Sequence, residues 1–254
     1  ITGILNGTTN YILTRMIRAG LTFEAALKEA QANGYAEKDP TADVEGHDAC
    51  RKICILAAIA FGRHVYPRQV PTEGISGVTL ADVAYAESCN RKIKLLGRAV
   101  KEDDGRICAY VAPHLVDSEA PLAGVEDVFN AIMVKGDAIG DVMFYGRGAG
   151  KLPTASAVVA DVMDAARHIR SRKRIEWGPG GDEVAVGPEQ LSFRWYVRAR
   201  GTAEDARAVA GASLLSRPGA PADEVAFLTG PMTRVQLEEA CGALRLQSVF
   251  RVLE

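Results

Sequence analysis

The stretch GYAEKDPTADVEGHDACRKICILA, residues 34–57, sets five carboxylates and a well-placed lysine at the approach to an apolar helix. Gly34 ends the helix before it, and Pro40 and Gly46 mark irregular backbone in between. From about Gly46 the apolar residues Ile53, Leu56, Ala57, Ala60 and Phe61 recur at helical spacing. Asp48 and Lys52 stand four residues apart, so a helix puts them on one face with the acid nearer its N-terminus. Taken by itself the pair is a surface ion pair worth roughly a few tenths of a kcal/mol. The same residues also fit an assembled site, and the local pattern does not choose between the two.

Upstream, Ile12, Leu13, Met16 and Ile17 form one helical face that stops at Gly20. Thr22 is suited to cap a second helix carrying Phe23, Ala26, Leu27 and Ala30 up to Gly34. Downstream, residues 63–78 carry two prolines and two glycines and read as extended and irregular, and Thr79 caps a short helix through about Ser88. The period then changes. RKIKLLGRAVK, RICAYVAPHLV, FNAIMVKG and DVMFYG are short, rich in β-formers and separated by turn signals, as in a largely antiparallel sheet. The glycine-rich turn GRGAGKLP leads into a helix whose Ala157, Val158, Val162 and Ala165 are expected to face that sheet.

A Gly/Pro-rich break at residues 177–189 marks a domain boundary. Residues 190–254 then alternate as strand, helix, strand, strand, helix, strand, a ferredoxin-like βαββαβ pattern. The fold class expected is α+β: helices on one face of a largely antiparallel or mixed sheet in residues 1–178, followed by the small unit.

The chain has 254 residues, is 48% hydrophobic and carries a formal net charge of −2, a balance without the basic footprint of a nucleic-acid binder. No apolar run approaches the ~18 residues needed to span a bilayer. Five scattered cysteines read as reduced thiols of a cytoplasmic protein. No cysteine or histidine cluster suggests a metal site, and the acids Glu37, Asp39, Asp43 and Glu45 miss the EF-hand spacing.

The segments GILNGTTNYIL, AQANGYAEKDPTADVEGHDACRKICILA, TEGI and GRGAGKLPTASAVVADV, in this order, closely resemble homoserine dehydrogenase. The resemblance covers residues 1–175. It implies an oxidoreductase of amino-acid biosynthesis, on the way to threonine and methionine, that interconverts L-homoserine and L-aspartate 4-semialdehyde with NAD or NADP. It casts Lys52 as the catalytic proton donor to the aldehyde oxygen, with Asp48 beside it. Glu37, Asp43 and Asp48 are then the acids that bind the substrate, and Gly34 and Gly150 are positions where backbone passes close to the cofactor. Asn6, Thr8 and Thr9 belong to a turn bordering the site and receive no role. The resemblance further implies a nucleotide-binding domain upstream of Ile1, an ACT-like domain at residues 190–254, and a homo-oligomer acting on a small-molecule substrate.

Overall fold

A computed structural model describes residues 1–171 and 176–254; residues 172–175, inside the first expected domain, lie outside the described set. In chain order the main elements begin with β1 (Thr2–Ile4), α1 (Gly7–Ala19), α2 (Phe23–Ala32), α3 (Thr41–Val44), α4 (His47–Phe61) and α5 (Leu80–Ser88). Next come β2 (Arg91–Lys101), β3 (Ile107–Asp117), β4 (Phe129–Gly136), β5 (Gly140–Arg147), α6 (Lys151–Arg167) and β6 (Ala185–Val186). The chain closes with β7 (Trp195–Arg200), α7 (Ala203–Arg207), β8 (Ser213–Leu215), β9 (Glu224–Leu228), α8 (Arg234–Ala240) and β10 (Arg245–Val252).

The strands join in one sheet of order β5-β4-β1-β2-β3-β10-β7-β9-β8, with β6 paired to β3. Most pairings are antiparallel, and β10 and β6 run parallel to β3. The strand β1, which the periodicity of a three-residue segment cannot reveal, lies between β2 and β4 and delivers Leu5 and Asn6 to the start of α1. Lining the principal core are Ile107, Ala109, Val111 and Leu115 of β3, while Cys108, Tyr110 and Ala112 pack on its other face. A strand covered on both sides reads as a continuous apolar run.

The first two helices obey their end signals. Asn6 caps α1 through Thr9 N–H, Gly20 closes it at φ 63°, and Thr22 caps α2 through Ala25 N–H. Thr79 and Asp82 form a reciprocal capping box at α5. The expected acidic loop contains the single turn α3, entered through Pro40. On α4 the buried face is Ala49, Cys50, Ile53, Cys54, Ala57 and Ala58, rotated from the expected stripe so that Ala60 is exposed. Small residues decide this. A Cβ on Gly97 of β2 would stand 2.9 Å from Leu5 Cδ1 and 3.3 Å from Ile53 Cβ, so glycine there lets α4 and the end of β1 close on the sheet.

A second expectation fails at α6. Helix α6 does not lay Ala157, Val158, Val162 and Ala165 on the sheet: it has no buried residue, and Val158 and Val162 are 57% and 61% exposed. It follows β5, the edge strand, and leaves the sheet there instead of crossing back over it. Ile139 and Phe144 on and beside β5 are also exposed, at 75% and 64%.

Residues 195–252 run in the order β-α-β-β-α-β with strands ordered β10-β7-β9-β8, all antiparallel, around a separate cluster of Trp195, Val197, Phe227 and Leu237. That segment is joined to the rest by more than a linker. β10 extends the main sheet through Arg251 opposite His114 and Val252 opposite Leu115. Buried Asp82 of α5 accepts from Arg198 Nε at 2.8 Å and from the Tyr196 hydroxyl at 3.0 Å.

Candidate active site

Helix α4 starts at Gly46, whose φ of 79° suits glycine and whose Cβ would meet Thr72 Cγ2 at 3.0 Å. This sharp entry projects Asp48 and Lys52 from the first turns of α4 toward the start of α1. The Lys52 ammonium donates to Asp48 Oδ2 at 2.7 Å and to the Leu5 carbonyl at 3.0 Å. Two of its three N–H groups are thereby directed, and the side chain keeps 45% exposure.

Asn6 completes the arrangement. Its Oδ1 accepts from Thr9 N–H at 2.9 Å, which turns Nδ2 outward. That nitrogen donates to Asp43 Oδ1 at 2.7 Å and to Asp48 Oδ2 at 2.9 Å. Two carboxylates from α3 and α4 thus converge on one buried amide, and Asp48 Oδ2 accepts from both that amide and the Lys52 ammonium. Such a cluster retains net negative charge beside a fixed ammonium donor. It is suited to receive a cationic group and, next to it, an oxygen that gains negative charge or a proton.

The glycine positions gather round the same turn. Thr8 Oγ1 donates to the carbonyl of Tyr35 at 2.7 Å, holding the residue after Gly34 against the first turn of α1. Gly34 has φ 73° and open space where a Cβ would point. The Asn130 side chain of β4 lies between Gly7 and Gly148: a Cβ on either would stand 3.4 Å or 2.7 Å from it. Gly150, two residues later, enters α6 at φ 113° with only the Pro153 ring nearby. Gly34 thus lies beside the first turn of α1 and Gly150 two residues beyond Gly148, each with little or no protein where a Cβ would point.

Beneath, Asn10 Nδ2 donates to the carbonyls of Val125, Asp127 and Phe129, fixing α1 to the turn that leads into β4. Buried Lys94 adds bonds to the Val125 carbonyl and to Asn10 Oδ1, and burial pulls its ammonium down to about 8.

Of the sequence-predicted residues, Asp43, Asp48 and Lys52 are brought into one network. The Glu37 carboxylate is exposed and stands outside that network, its backbone carbonyl accepting from Gln31 Nε2 at 3.0 Å. Asp39 accepts from the Thr41 N–H and hydroxyl at 3.1 and 2.6 Å and so serves the turn α3. Asn6 and Thr8 are what the sequence reading left without a role. Their signal was an N-cap asparagine buried among apolar residues, a position that requires partners for both ends of its amide. No group of three or more His, Cys, Asp or Glu is placed to hold a metal ion among the described residues. Nor is any described helix long and apolar enough to cross a membrane.

Two carboxylates and a lysine thus converge on the N-cap of α1, where β1 hands over to the helix in an α+β fold. The model of the homoserine dehydrogenase family matches residues 1–163. Homoserine dehydrogenase from Synechocystis sp. is 51% identical over 174 residues, covering 67% of this chain and 40% of that protein. A homoserine dehydrogenase structure from Thiobacillus denitrificans superposes with a TM-score of 0.87 at 35% identity, over 100% of this chain and 63% of that one. A hyperthermophilic archaeal homoserine dehydrogenase, solved in complex with NADPH, matches 65% of this chain and 46% of its own at 30% identity and a TM-score of 0.53. This chain belongs to the homoserine dehydrogenase family. It spans about two-fifths of the length of such curated relatives.

Proposed function

We propose that the chain supplies the substrate-binding half of an NAD(P)-dependent oxidoreductase that interconverts L-homoserine and L-aspartate 4-semialdehyde. The observation carrying this reading is the Asn6 amide that ties Asp43 and Asp48 together beside Lys52.

The substrate is a zwitterionic amino acid, and Asp43, Asp48 and the more exposed Glu37 are the acids available to its α-ammonium group. The nicotinamide supplies or accepts the hydride when bound. Lys52 does the proton work. Its ammonium, aimed by Asp48 and the Leu5 carbonyl, has a further N–H to give to the aldehyde oxygen as negative charge develops there. In the direction of homoserine oxidation the same nitrogen takes the hydroxyl proton.

Gly34 and Gly150 are assigned to the cofactor side, where their uncovered backbone permits close approach. The dinucleotide itself is held mainly by the part of the relatives that this chain does not span, so residues 1–254 alone are expected to turn over no homoserine. The exposed apolar residues of β5 and α6 are assigned to interfaces, with that part and with a second copy of the chain. Residues 190–254 form an ACT-like unit serving assembly, a reading supported by their βαββαβ order.

Purified protein of the relatives' full length, assayed with L-homoserine and either NAD or NADP, tests the reading. Saturable, homoserine-dependent reduction of the nucleotide is expected. No reduction of either nucleotide by a folded enzyme would overturn it.

A further inference from the structure

The acid pair is braced from a distance. Glu73 and Gly74 lie in a turn running along β3, where Val111 N–H donates to the Pro71 carbonyl at 2.9 Å and Glu73 N–H to the Val111 carbonyl at 2.8 Å. Ile75 N–H then bonds the Val44 carbonyl at 2.8 Å. Gly74 has no room for a side chain: a Cβ would stand 2.4 Å from that carbonyl and 2.6 Å from Glu45 Cα. Backbone 72–75 therefore presses directly on backbone 44–46. Asp43 immediately precedes the pressed segment, and Asp48 follows it by two residues.

The other side of this turn is tied to the last strand of the chain. Arg251 of β10, only 6% exposed, places Nη1 2.7 Å from Glu73 Oε1. Its guanidinium lies 4.9 Å from the Tyr110 ring centre, 5.4 Å from that of Phe193 and 5.1 Å from that of Trp195. A planar cation walled by three rings has few other positions available. Glu73 is by contrast half-exposed, at 44%, and an ion pair of that exposure adds little stability by itself. The arrangement fixes a position more than it stabilises the fold.

We propose that Glu73 is a positioning residue for Asp43 and Asp48, held in place by Arg251, so that the C-terminal strand sets the geometry of the substrate's acid pair. The inference rests on reading those acids as the ammonium site. Displacing the turn shifts the acids relative to Asn6 and weakens ground-state binding, while Lys52 keeps its anchor on Leu5.

The test uses Glu73→Gln, Arg251→Lys and the double variant in the full-length enzyme, with Arg234→Gln as control. Arg234 lines the same cavity, one of about 200 Å³ shared with Glu73, Glu189 and Arg251, and lies 5.7 Å from the Trp195 ring centre, but its ion pair is with Glu238 and not with Glu73. Glu73→Gln is expected to raise KM for homoserine roughly tenfold, with kcat within about threefold of the parent. The double variant should be no worse than the more severe single one, and Arg234→Gln should match the parent. A second readout needs no activity: the ¹H–¹⁵N side-chain amide signals of Asn6 in residues 1–254 should shift in Glu73→Gln and hold in Arg234→Gln. Parent-like KM together with an unmoved Asn6 amide in folded Glu73→Gln overturns the proposal. If the parent enzyme fails to oxidise homoserine, the functional reading falls and the Asn6 signal alone decides this one. If Arg251→Lys does not fold, Glu73→Gln decides.

Discussion

The ammonium of Lys52 lies 3.0 Å from the carbonyl oxygen of Leu5, a residue forty-seven positions earlier in the chain. A simple i,i+4 surface pair has no such anchor. Leu5 is delivered by β1 and Lys52 by α4, and they meet because Gly97 leaves room for both elements on the sheet. The lysine is thus oriented from two directions, which suits the proton-donor role proposed for it.

Replacing Lys52 by alanine in the full-length enzyme should lower kcat by about 10²-fold or more, the usual scale for a general acid. Since the side chain is 45% exposed, thermal stability should scarcely change. Steady-state kinetics with a melting curve checks both halves, and a near-normal kcat would return Lys52 to an ordinary surface role.

Asn6 carries two duties that substitution can separate. Serine keeps the helix cap but has no amide to hold the two acids. Asn6→Ser should therefore stay folded and raise KM for homoserine, whereas Asn6→Ala should in addition lose about 1 kcal/mol from the missing cap. Urea titrations beside kinetics distinguish the two. Equal stability of the serine and alanine variants would count against the capping role.

Asp82 is fully buried and receives Arg198 and Tyr196 from the C-terminal unit. Arg198 also reaches Glu224 Oε2 at 3.3 Å, so losing Asp82 leaves its guanidinium only partly compensated, at a cost below the about 3–5 kcal/mol of a fully broken buried pair. Asp82→Ala should lower the urea midpoint of residues 1–254 sharply. It should do so as one transition if the C-terminal unit and the main sheet unfold together. A variant with an unchanged midpoint would show that the pair contributes nothing to the join.

Burial also makes stability depend on pH in two windows. His114 is held well below its ordinary value because its site excludes charge, while the unfolded chain takes up the proton below about 6.5. Unfolding free energy should therefore fall as pH drops through about 6.5. Lys94 is pulled down to about 8 by burial. The unfolded chain keeps that proton up to about 10.4, so this residue's contribution rises as pH climbs from about 8 toward that value. Urea denaturation across both windows checks the signs. Lys94→Met should flatten the alkaline slope and leave the acidic one.

The edge strand β5, the turn before it and helix α6 expose Phe144, Ile139, Val158 and Val162. An apolar edge of this kind is ordinarily paired or covered. Residues 1–254 are expected to self-associate at tens of micromolar, and Phe144→Lys to weaken that association. Light scattering gives the mass directly, and a monomeric parent at that concentration would contradict the expectation.

Much of this protein was determined by the sequence alone. Glycines, N-cap residues and periodic apolar residues act over one or two turns, so α1, α2 and α5 and the long strands β2 and β3 stand where local chemistry puts them. The ranks of the acids were readable only through resemblance, because a carboxylate's partners are not encoded in its neighbours. Tertiary structure decided that Asn6 joins Asp43 to Asp48, that Lys52 rests on Leu5, and that Glu37 stands apart. It also decided that α6 leaves the sheet and that β10 enters it. Each of these is a contact between residues far apart in the chain, fixed by which small residues let two elements approach, and no local period carries that information.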